Sequence, residues 1–162
     1  MKPFDDFPPY DNAAELNGRL RALGPTLMSM RTCSEVAGHC TMAGCASRCQ
    51  IYLRANDTDP STKLQASGAP LVNISVGDYN IGLFQHEDAT RKGGGMMIQN
   101  HDASNFRWST VVWPHGTPPS EVDQVHGDAR PAVDAAPHVD GFQIFLGAGE
   151  ARLFLFNPTA GF

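Results

Sequence analysis

"FQIFLGAGEARLFLF", residues 142–156, decides the fold class. Two short apolar runs flank Gly147-Ala148-Gly149-Glu150, a break with the composition of a turn. Successive side chains of an extended chain point to opposite faces. Phe142, Ile144, Leu146 and Leu153 therefore fall on one face, and Phe145, Phe154 and Phe156 on the other. A strand apolar on both faces needs cover on both. That cover comes from a helix of the same chain or from another subunit.

The same period of two recurs upstream. "QIYLR" alternates Ile51 and Leu53 against Tyr52 and Arg54, and "LVNISV" alternates Val72, Ile74 and Val76 against Asn73 and Ser75. Gly77-Asp78 reads as a two-residue hairpin turn, with "YNIGLFQ" as the return strand. Gly93-Gly94-Gly95 turns the chain into "MMIQ". "FRWSTVVW" sets Phe106, Trp108, Thr110 and Val112 against Arg107, Ser109, Val111 and Trp113. The prediction is a mainly β protein: an antiparallel sandwich or barrel of about seven strands with a short N-terminal helical, Cys-rich segment.

Composition agrees. The 162 residues suit one domain, and 16 Gly with 12 Pro suit a loop-rich β fold. The net charge is −5, and Lys occurs only as Lys2, Lys63 and Lys92. Without a basic run, neither nucleic acid nor an anionic membrane is an expected partner. No apolar run has the length of a membrane span. The opening "MKPFDDFPPYDN" lacks the apolar core of a signal peptide. Synthesis in the cytoplasm is the expectation, with release as part of a virion.

Residues 1–11 read as an extended docking arm, because Pro3, Pro8 and Pro9 oppose a regular helix. Phe4, Phe7 and Tyr10 are its aromatic anchors. Residues 12–162 form a single β-rich domain: 12–49 helical and Cys-rich, 50–113 and 141–156 strands, 114–140 a long Pro-rich loop. Asn12 and Glu15 resemble a capping box. Leu16, Leu20, Leu23 and Leu27 share one helical face, and Gly24-Pro25 is expected to stop the helix before Leu27.

All four cysteines lie in "CSEVAGHCTMAGCASRC", residues 33–49. Cys33, Cys40, Cys45 and Cys49 are spaced C-x6-C-x4-C-x3-C, which matches no familiar zinc module. Three readings stay open: buried free thiols, disulfides in a particle outside the cell, and a structural zinc site with His39 as a further ligand.

The enzyme alternative rests on histidines beside acids. His86 and Asp88 form H-x-D, and within a strand they point the same way. With His138 they make a two-His, one-carboxylate set able to hold ferrous iron, with Arg152 as an anchor for a co-substrate. These four residues superficially resemble the double-stranded β-helix (cupin-like) oxygenases. That resemblance implies a small non-haem metal enzyme. "HEDATRKGGG" reads more simply as the polar end of a hairpin. Asp57, Asp59 and Ser61 alternate as in calcium loops but lack the closing Gly and Glu, so they read as a turn.

The leading expectation is non-enzymatic and needs no cofactor: a structural, self-assembling or docking protein of a larger particle. By analogy of physical character, a bacteriophage or virus component fits, either capsid cement or a tail protein. Its partners would be protein subunits, met through Phe4, Phe7, Tyr10, Trp113, Phe145, Phe154, Phe156 and Phe162. A third reading is a carbohydrate- or peptide-binding module. There Trp113 is the exposed ring beside the 114–140 loop, and Trp108 belongs to the core.

Overall fold

A computed structural model describes residues 8–32, 50–57, 59–67, 71, 73–75, 77–86, 94–113, 118–124, 126–127, 129–131, 137–138 and 141–156. The chain is mainly β, built from two antiparallel sheets that share one core. The larger sheet contains β1 (Met30–Thr32), β2 (Gln50–Leu53), β4 (Tyr79–His86), β5 (Gly94–Asn100), β7 (Ser120–Val122), β8 (Ala129–Pro131) and β11 (Ala151–Phe156). Its order is β1-β4-β5-β11-β7-β8, with β2 also on β4. The smaller sheet runs β3 (Asn73–Ile74), β6 (Arg107–Val112), β10 (Gly141–Leu146), β9 (Pro137–His138). Both sheets end on edge strands, so the barrel alternative is set aside. Those edges are two to four residues long, and Pro131 blunts one of them, which discourages edge-to-edge pairing.

The core follows from side-chain parity. Ile81, Leu83, Met96, Ile98, Phe154 and Phe156 come from the larger sheet, and Ile74, Val111, Trp113, Phe142, Ile144 and Leu146 from the smaller. The Phe142 and Phe154 rings meet across the interface at 5.7 Å. One buried polar link also crosses it, the Tyr79 hydroxyl and Ser109 Oγ at 2.5 Å. Helix α2 (Pro60–Ser67) closes one flank by inserting Leu64 into this core. Asp59 caps that helix, accepting from Ser61, from Thr62 Oγ1 and from the Thr62 amide.

The larger sheet is apolar on its outer face as well. Met30, Val122, Leu153 and Leu155 are buried there with Phe84 and Met97, under Leu23 and Leu27 of α1 (Pro8–Met28). The strand apolar on both faces is thus β11, and the chain's own helix supplies its second cover.

Several expectations are corrected. Helix α1 starts at Pro8, so the end of the supposed arm is helical; prolines fit a first helical turn, whose amides have no partner anyway. It also continues through Gly24 and Pro25, where seating Leu27 on the sheet outweighs the one backbone bond that proline removes. Eleven strands occur among the described residues instead of about seven. Three of them lie within 114–140, so that segment is not simply a loop. Gly77-Asp78 makes no hairpin, because β3 and β4 lie in different sheets. Likewise β10 and β11 do not pair with each other, and Phe154 and Phe156 face the same core as Phe142. No helix among the described residues is long and apolar enough to cross a membrane.

Candidate functional site

The outer face of the smaller sheet carries an exposed aromatic patch. In β6 the odd positions Ser109 and Val111, followed by Trp113, point into the core, so Trp108 and the preceding Phe106 point out. Trp108 stands directly opposite Phe145 of β10. The Phe145 ring lies 5.2 Å from Trp108 and 5.6 Å from Phe106, at interplanar angles of 58° and 39°. Phe106 is 68% exposed and Trp108 62%. Beside the rings the face turns polar, with Gln143 donating to Thr110 Oγ1 at 3.4 Å.

The loop that presents Phe106 is braced from beneath. Asn100, fully buried, donates to the carbonyls of Asn105 and Gly147 at 2.7 and 3.0 Å. Asp102 accepts from the amides of Ser104 and Asn105 at 2.9 and 3.1 Å and from Arg107 Nη2 at 3.1 Å. Glu150 accepts from the Gly147 amide at 2.6 Å and from Arg152 Nε at 3.2 Å. The exposed rings therefore sit on a hydrogen-bonded support.

The Ser104 amide bond, with the Asn105 side chain next, holds the Asp102 carboxyl below its ordinary range. A carboxyl depressed in the folded state contributes stability that is complete at neutral pH. That contribution is lost as pH falls through the lowered folded value. Protection of the Ser104 and Asn105 amides, relative to unstructured amides at the same pH, is accordingly expected to persist through the ordinary carboxylate range and to be lost only as pH falls through the lowered value. Asp102→Ala should remove that protection from both amides at every pH. Equal protection in the variant at neutral pH would show that the carboxylate does not hold the loop.

The remaining expected site residues are dispersed. Trp113, Phe154 and Phe156 are buried in the chain's own core. Among the described members of the docking set, Phe145 belongs to the exposed patch. The side chain of Tyr10 and all of Phe4, Phe7 and Phe162 lie outside the described residues, as do Cys33, Cys40, Cys45, Cys49 and Asp88. His86 is buried at the end of β4, on the face of Phe84 that points away from the smaller sheet. His138 belongs to β9 of that other sheet. The His138 side chain, like Asp88, lies outside the described residues. Arg152 is committed to Glu150 and Glu121, at 3.2 and 3.6 Å. Among the described residues, no three His, Cys, Asp or Glu side chains gather into a metal-holding group. Asp57 is taken up by Lys63 and by the Arg54 amide, both at 2.7 Å.

No protein-family model, curated protein or solved structure matches this chain.

Proposed function

We propose that this chain is a structural docking protein that works by associating with protein subunits of a larger particle. The observation that carries the reading is the braced, exposed patch of Phe106, Trp108 and Phe145. Isolated surface hydrophobes are ordinary, but contiguous aromatic clusters on a rigid support mark interaction sites. Aromatic side chains also dominate the energetic centres of protein interfaces. The tilt between the rings favours a protein over a flat sugar-stacking shelf. Blunted sheet edges support association through a face. Virion components of the cement or tail type are the class of particle we propose, by analogy of physical character.

The test is Phe106→Ala with Trp108→Ala in the full chain. Both side chains are mostly exposed, so the unfolding midpoint should move little. The fraction sedimenting with the native particle should fall at least tenfold. A variant that sediments as the wild type does would remove the patch from the association surface.

A further inference from the structure

We infer that the partner on this patch is a second copy of the chain, joined head to tail. The free leucines of α1 on one copy seat against Phe106, Trp108 and Phe145 of the next. This rests on the association reading above.

The helix supplies the first half of the argument. Leu16, Leu20, Leu23 and Leu27 form one stripe, yet only Leu23 and Leu27 pack on the larger sheet. Leu16 and Leu20 are 57% and 53% exposed. At 21 residues the helix is about 31 Å long, and its N-terminal turns carry the stripe past the surface that its C-terminal turns cover. The same leucine spacing that caps the outer face of one sheet is thus presented, unused, to solvent.

The smaller sheet supplies the complement. Its outer face is apolar where Phe106, Trp108 and Phe145 cluster, and no described helix covers it. The two surfaces cannot meet within one molecule, because α1 and the smaller sheet lie on opposite sides of the larger sheet. Charge does not oppose their contact despite the net charge of −5. Glu15 and Arg19, beside the leucines, pair with each other at 2.5 Å, and Arg19 also donates to Gln124 at 3.2 Å.

Area sets the strength. Phe106 and Trp108 each offer roughly 100–150 Å² still exposed. With the two leucines, a contact buries on the order of 500–700 Å² in total, short of the roughly 1,200 Å² of a stable standard pair. One junction is therefore weak, with association appearing towards millimolar concentration and strengthening only where copies are arrayed. Patches on opposite sides of one subunit make a heterologous contact, which grows into a ring or a filament.

Sedimentation velocity over a concentration series tests this with two full-chain variants. One is Leu16→Gln with Leu20→Gln, glutamine keeping the helix propensity. The other is Phe106→Ala with Trp108→Ala. Each alone should remain monomeric where the wild type associates, with an unfolding midpoint close to that of the wild type. Mixed, they should give a one-to-one dimer that does not grow, since each supplies the surface the other lacks. If the leucine variant alone associates like the wild type, the patch pairs with itself and the inference is overturned. If the wild type stays monomeric while the aromatic variant still leaves the native particle, the partner is a different protein. That result overturns this inference and leaves the association reading standing.

Discussion

Phe154→Ala should destabilise the protein by about 3–5 kcal/mol, the range for emptying a large aromatic from a closed core. Phe154 is fully buried. Its ring meets Phe142 of the other sheet at 5.7 Å, and its strand pairs with β5 on one side and β7 on the other. With partners fixed on both sides, the backbone cannot close the space left behind. Against a typical total stability of about 5–15 kcal/mol, this loss is a large fraction. Denaturant titration would show a much lower midpoint at an unchanged slope. Trp108→Ala provides the contrast. It removes a larger ring, but one 62% exposed, and it should cost well under half as much. Equal losses from the two substitutions would mean that the assignment of inner and outer faces is wrong.

That assignment is also where sequence reading reached its limit. The alternation in "FRWSTVVW" is plain, and it makes β6 a strand. Both of its faces are apolar, however: Phe106, Trp108 and Val112 on one, Val111 and Trp113 on the other. A period of two places residues on faces but does not say which face is inside. What decides is the partner strand. Phe142, Ile144 and Leu146 turn inward with Ser109 and Val111, leaving Phe145 opposite Trp108. Nothing local in 106–113 carries that information, so the two tryptophans exchange roles. Polar residues gave a usable hint in hindsight: Asn100, Asp102 and Asn105 crowd the approach to Phe106, more hydrogen-bonding capacity than a free loop needs.

The C-terminal run was legible for a different reason. Leu153, Phe154, Leu155 and Phe156 are apolar at every position, so either parity demands cover on both faces, and α1 with the shared core meets that demand. The same logic could not say that β10 and β11 lie in different sheets. A short Gly-rich link permits a hairpin or a crossing between layers equally well. The leucine stripe of α1 was visible in full. That only half of it would be buried depends on the extent of the sheet beneath, which no helical spacing encodes.

Gly127→Ala is expected to cost about 2–5 kcal/mol and to unseat α1 from the larger sheet. Two effects combine. Gly127 has φ of 79°, a conformation that costs an ordinary L-residue about 1–2 kcal/mol. A Cβ there would also run into the backbone carbonyl of Ala22 on α1, and overpacking of this kind typically costs about 1–3 kcal/mol. A backbone carbonyl cannot rotate aside as a side chain would, so the helix or the turn must move. The turn is held by the Gly127 amide on the Asp123 carbonyl at 2.8 Å, which leaves α1 as the element that yields. Leu23 and Leu27 would then lift from Val122, Leu153 and Leu155, exposing apolar surface that a hydrophobic dye reports. Gly149→Ala isolates the second effect. Its φ of 68° is equally unfavourable, but no atom lies within 4 Å of an added Cβ. It should lose about 1–2 kcal/mol and bind no dye. Head-to-tail association should weaken in Gly127→Ala as well, because Leu16 and Leu20 are presented by the same rigid helix, and it should survive in Gly149→Ala. If the two alanine variants unfold at the same midpoint and bind dye alike, the close approach of Gly127 to Ala22 does not hold the helix in place.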